Sequence, residues 1–208
     1  MQRNSGTRFF PIIIIIIIAA LVIAAVVSIG RAVFNGGGDT SQETSQVDQG
    51  REALLDTSAG HSVQMTVRGP LVAEENFNSY RVTVSTTERT MNIYSGYLES
   101  QINGKTLENN TQAYEQFVYA LDKANMMKGQ TPDDDTKNDI RGICASGYVN
   151  ELAVLSGGNE VKKLWTSTCD GSKGTLDASK DQLSRLFLAQ IPDSNKLIPF
   201  KQGPTLSL

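Results

Sequence analysis

Hydrophobic and polar positions alternate with different periods along the chain, and each change of period marks an element. From Phe9 to Gly30, FFPIIIIIIIAALVIAAVVSIG, nearly every position is apolar and none is charged. These 22 residues make a helix of roughly 33 Å, enough to cross a hydrocarbon core of about 30 Å. The pattern predicts one transmembrane signal anchor at 9–30 behind a short N-terminus, 1–8. The next stretch, 31–50, is glycine, serine, glutamine and acid with little to bury, and predicts a flexible tether.

Beyond the tether the period becomes two. HSVQMTVRGP alternates at Val63, Met65 and Val67, SYRVTVSTT at Tyr80, Val82 and Val84, and RTMNIYSGY carries Met91 and Ile93. Alternation with β-branched residues predicts strands, and the short TTE predicts a hairpin between the second and third. Helical spacing follows at Tyr114, Phe117, Val118, Leu121 and Ala124, with Asn110 as N-cap and Gly129 as the stop. YVNELAVL and VKKLWTSTC around SGGN predict a second hairpin. Ser179 with Gln182 then opens a second helix striped by Leu183, Leu186 and Phe187, which ends before Pro192.

The expected fold is α+β: an antiparallel sheet of about five strands, two hairpins plus one strand, with two helices packed on one face. It is preceded by the transmembrane helix. The folded domain is placed at 51–192, with strands beginning near His61, and 193–208 is expected to fray as a tail.

Charge sets the orientation. Arg3, Arg8 and the amino terminus precede the span, whereas Arg31 alone follows it before Asp39, Glu43 and Asp48, so the N-terminus is expected in the cytoplasm. The 19 Lys and Arg less these three leave 16 against 22 Asp and Glu, a balance of −6 for the exported part. That balance gives no footprint for nucleic acid or anionic lipid. Ser28 and Gly30 leave a cleaved signal peptide as the alternative to an anchor, and no cysteine follows the span to carry a lipid.

Cys144 and Cys169 are the only cysteines. With the turn near Gly157-Gly158, residue numbers facing each other across the second hairpin add up to about 313 to 315, and 144 with 169 gives 313. The two are therefore expected to form a disulfide, which suits an oxidising compartment. The same register sets Tyr148 opposite Trp165 and Leu152 opposite Val161. Tyr148 and Trp165 are a candidate ligand platform, set against the plainer reading of a packed core pair.

Other candidate chemistry is sparse. His61 is the only histidine, so any Ser-His-Asp or Cys-His site must use it, against the plain reading of a strand-end histidine. Asp133, Asp134, Asp135 and Asp139 could collect calcium, yet the spacing is not that of an EF-hand, and Asp133, Asp135 and Asp139 read more simply as a solvated acidic loop. Glu74-Glu75 and scattered carboxylates leave room for an acid/base pair. Asn109-Asn110-Thr111 matches a glycosylation sequon, although Asn110 is better explained as a cap. GGG at 36–38 lacks the Gly-Lys-Ser/Thr of a phosphate loop. No cofactor or metal is expected.

GPLVAEENFNSYRVTVSTTERTMNIYSGY, RGICASGYVNEL, LWTSTCDGSKGTL and LFLAQIPD resemble uncharacterised single-pass, membrane-anchored surface proteins of ultrasmall candidate-phylum bacteria, over about residues 60–192. The resemblance implies a bacterial tethered surface domain with the same cysteine pair, and brings no activity or site residues. The functional expectation is an extracytoplasmic interaction module with an envelope protein or ligand as partner. The alternatives are a tethered hydrolase using paired carboxylates and a subunit of a cell-envelope complex.

Overall fold

The computed structural model describes residues 49–130 and 139–200. The span at 9–30 and nearly all of the tether lie outside the described residues. Among those described, no helix is long and apolar enough to cross a membrane.

The fold is α+β. Six strands, β1 (His61–Arg68), β2 (Asn78–Ser85), β3 (Glu88–Ser95), β4 (Ser100–Glu108), β5 (Val149–Ser156) and β6 (Asn159–Ser167), form one antiparallel sheet in the order β4-β3-β2-β1-β5-β6. Among the described residues three α-helices, α1 (Gln49–Leu55), α2 (Thr111–Lys123) and α3 (Lys180–Ala189), accompany it. Val63, Met65, Val67, Tyr80, Val82 and Val84 are fully buried, and they share one core with Leu54 of α1, Tyr114, Phe117, Val118 and Leu121 of α2, and Leu183 and Phe187 of α3. Strand residues of the opposite parity, among them Gln64, Arg68, Arg81 and Glu151, form the other face. The helices therefore cover one side of the sheet, as the alternation predicts.

Local chemistry accounts for several boundaries. Asn110 Oδ1 accepts from Ala113 N at 2.9 Å and Ser179 Oγ from Gln182 N at 3.3 Å, so both helices begin at their expected caps. Thr86 and Thr87 alone separate β2 from β3, and Ser85 Oγ takes the Glu88 N–H at 3.1 Å inside that turn. Asn109 Nδ2 donates to Ser85 O at 2.6 Å, which ties the start of α2 to the same hairpin.

Five expectations are corrected. The sheet has a sixth strand, β4, whose residues Ser100–Gly104 are all exposed; an edge strand with no buried stripe leaves no alternation to read. A third helix, α1, occupies a segment predicted to be tether and entry loop, because Gly50 and Leu54 are buried in it and Ala53 packs on the core. The end of α2 is corrected as well, since it stops at Lys123 with Ala124 as C-cap rather than at Gly129; Asn125 adopts φ 59° there. Residues 193–200 are packed rather than frayed: Leu197, Ile198 and Phe200 lie against the core, and the Phe200 ring sits 5.8 Å from Tyr80 and 5.0 Å from Tyr148.

The fifth correction concerns register. β5 and β6 pair with Glu151 opposite Trp165 and Leu152 opposite Leu164, after a bulge between Val154 and Leu155. The two-residue turn at Gly157-Gly158 makes facing residue numbers beside it add up to 315 and the bulge raises the sum to 316, so Tyr148 is not opposite Trp165 and Leu152 is not opposite Val161. The Cys144–Cys169 disulfide is nevertheless present, with Cα atoms 5.5 Å apart. It forms outside the strands. Continuing the ladder places Gly147 opposite Cys169, and a Cβ on Gly147 would lie 2.8 Å from Cys144 Sγ and 3.1 Å from Cys169 Sγ. The missing side chain leaves the room through which Cys144 reaches its partner.

Candidate functional site

The ladder brings three connections to one end of the sheet: the β1–β2 loop 69–77, the β3–β4 turn 96–99 and the loop 140–148 before β5. β1 runs toward this end from His61, which follows α1 closely, to Arg68, about 23 Å along the strand. The three connections are tied to one another by their backbones. Leu71 N donates to Ala145 O at 2.9 Å, and Gly96 N to Phe77 O at 2.9 Å. Tyr97 OH donates to Val72 O at 2.7 Å and accepts from Val72 N at 3.1 Å, so one phenol takes the place of a neighbouring strand for Val72. Tyr97 N donates to Glu74 Oε2 at 3.0 Å, and its ring stacks on Phe77 at 4.1 Å between centroids.

Gly96 is required at its position. It adopts φ 75°, and a Cβ there would collide with the Glu74 carboxylate. Three residues on, Glu99 holds a left-handed conformation, φ 54°, that a side chain rarely adopts without compensation. The compensation is ionic: Glu99 Oε1 accepts from Arg68 Nη1 at 2.8 Å and Oε2 from Arg81 Nη2 at 3.0 Å. The disulfide closes the third connection and packs with Trp165, Val149, Ile140 and Ile143 in a small cluster of its own.

On this braced frame apolar side chains are left outside. Leu71 is 44% exposed, Val72 42%, Tyr97 45% and Leu98, at the turn's tip, 90%. Burial normally removes such groups from water, and their display on a loop with a fixed backbone is the informative feature.

The helix-free face of the sheet carries a charge lattice. Arg68 Nε donates to Glu151 Oε1 at 2.7 Å, Lys163 Nζ lies 3.7 Å from Glu151 Oε2 and 3.3 Å from Glu160 Oε2, and Arg81 sits 5.2 Å from the Tyr94 ring centre. Burial alone would raise the Glu99 carboxyl and lower Arg68. The opposing charges win in both cases, so Glu99 lies below the usual carboxylate range and Arg68 above its ordinary value. A cleft of about 100 Å³ opens between Arg68, Arg81, Glu151 and Lys163. A wider groove of about 380 Å³ runs along Arg51, Asp122, Lys123 and Lys128, bridged by Arg51 Nε on Asp122 Oδ1 at 2.6 Å.

The sequence candidates fall elsewhere. Trp165 is buried beside the disulfide and its Nε1 finds no partner, while Tyr148 packs on Phe200, so the two share no exposed face. His61 does meet a serine and an aspartate: Ser58 Oγ is 3.0 Å from Nδ1 and Asp56 Oδ2 3.5 Å from Nε2. All three lie within one turn, however, and Asp56 Oδ1 is committed to Ser58 N at 2.9 Å, the pattern of a turn that caps itself. The hydrogen bonds from Ser58 hold Asp56 below its ordinary value. Asp133 and Asp135 lie outside the described residues. Asp139 is forked by the Arg141 guanidinium, which lowers its carboxyl to about 2. Among the described residues no group of three His, Cys, Asp or Glu could hold a metal ion.

Glu74 was a sequence candidate for acid/base work and here buttresses a turn. Leu71, Val72, Tyr97, Leu98 and Glu99 were missed. The signal present was GYLE, an apolar pair set in a turn between two strands, where polar residues are the rule. No protein-family model matches the chain, and no curated protein matches it.

Proposed function

We propose that the chain is a membrane-tethered extracytoplasmic interaction module, anchored through residues 9–30, that offers the end of the sheet bearing Leu71, Val72, Tyr97 and Leu98 to a protein partner in the cell envelope. The observation that carries this reading is the coexistence of a cross-braced backbone with exposed apolar side chains. A surface whose backbone is already ordered loses less entropy on binding than a mobile loop would. The uncharged span, the charge asymmetry around it and the disulfide support the location.

The hydrolase reading has one observation in its favour, the meeting of Glu99 and Glu151 on Arg68. A general acid must hold its proton near neutral pH, and Glu99 is shifted the opposite way. The interaction reading is therefore the better supported.

Location is tested with Leu98→Cys, an exposed thiol in a chain whose native cysteines are paired. A membrane-impermeant maleimide added to intact cells is expected to label the variant and not the wild type. Labelling only after lysis would place the domain inside and end this proposal.

A further inference from the structure

The 69–77 loop and the 96–99 turn, GPLVAEENF and GYLE, contain three carboxylates, Glu74, Glu75 and Glu99, and no lysine or arginine. Arg68 and Arg81 neutralise Glu99. Glu74 spends one oxygen on Tyr97 N. Glu75 is exposed, in the short 3-10 turn Glu74–Asn76, and forms no ion pair among the described residues. The display of Leu71, Val72 and Leu98 is thus edged by negative charge that no cation among the described residues compensates. Arg141, the basic residue of the third connection, is neutralised by Asp139.

We infer that the partner segment seated on this surface is apolar with a flanking cationic side chain: leucine- or valine-like groups cover Leu71, Val72 and Leu98, while a lysine or arginine reaches Glu75 beside the Glu74 carboxylate. Apolar contact supplies the attraction, and the carboxylates select the sign of the flanking charge. An acidic segment of equal hydrophobicity is rejected by Glu74 and Glu75, which no Lys or Arg among the described residues pairs with. This inference rests on the platform being a binding surface, and it is independent of which side of the membrane the domain occupies.

The test uses the purified full chain in detergent micelles and two labelled probes, the pentapeptides Leu-Lys-Val-Lys-Leu and Leu-Glu-Val-Glu-Leu, both blocked at their ends, with fluorescence anisotropy as the readout. The lysine peptide is expected to bind at least ten-fold tighter than the glutamate peptide in low salt, with the gap narrowing as salt is added. Leu98→Ser should weaken the lysine peptide at least five-fold, whereas Tyr119→Ser, on the exposed side of α2, should leave it unchanged. Glu75→Gln should close most of the gap between the two peptides. Equal binding of both peptides, binding indifferent to Leu98→Ser, or no binding to either would overturn the inference. So would concentration-dependent self-association of the chain that is lost in Leu98→Ser, since a second copy would then be the occupant. Because the chain is purified, failure here leaves the labelling result in cells intact, so the binding surface and the location are tested separately.

Discussion

Glu99 joins a strained backbone to two guanidinium groups, and pH should separate those effects. Its folded carboxyl lies below the usual value of about 4.3. Its contribution to stability is therefore fully present above that value and lost as pH falls through the lower folded one. Denaturant unfolding of Glu99→Gln is expected to show a loss of about 1–2 kcal/mol near neutral pH and a shallower decline than wild type below about pH 4. Equal slopes in acid would remove Glu99 from the account. Tyr114 offers the opposite sign: its hydroxyl is buried without a hydrogen-bond partner, and burial holds its pKa well above the ordinary value. Tyr114→Phe should raise stability by about 1 kcal/mol, and a loss of stability would mean that the hydroxyl is satisfied. At this scale the sequence was legible where a residue acts on its near neighbours, as Asn110 and Ser179 do. It was silent on Glu99, whose partners lie 31 and 18 residues away.

Elements were readable in proportion to how much of one face they bury. β1 and β2 bury an alternating set of apolar residues, and that alternation announced them. α1 buries only Gly50 and Leu54, β4 is held by hydrogen bonding to β3, and neither leaves a periodic trace. The residues after α3 were misread for a related reason: Leu197, Ile198 and Phe200 look like an apolar remnant in a polar tail, yet they close the core beside Tyr80 and Tyr148. Truncation after Pro192 is expected to lower stability by about 2–4 kcal/mol, on the scale of two or three partly buried side chains, as measured by urea unfolding. A change under about 0.5 kcal/mol would show that these contacts add nothing. The register error has two sources, the position of the turn at Gly157-Gly158 and the bulge between Val154 and Leu155. A hydrophobic pattern locates strands well, but a single inserted residue near the turn moves all later partners.

For the whole molecule, the sheet is a frame with helices on one face, an ion-pair lattice on the other and a braced apolar surface at one end. The cysteine pair was predicted and is present, though it locks the loops at that end instead of facing strand positions. Its loop of about 25 residues is worth about 3 kcal/mol in chain entropy, and the bond from Leu71 N to Ala145 O hands that constraint on to the β1–β2 loop. The central claim, that the apolar surface is ordered before any partner arrives, is tested most directly by amide hydrogen exchange on the oxidised full chain. The Leu71, Val72, Gly96 and Tyr97 amides should be protected at least ten-fold over unstructured values, and reduction of the disulfide should release Leu71 first while the β1–β2 ladder keeps its protection. Free exchange at these four amides with the disulfide intact would contradict the account.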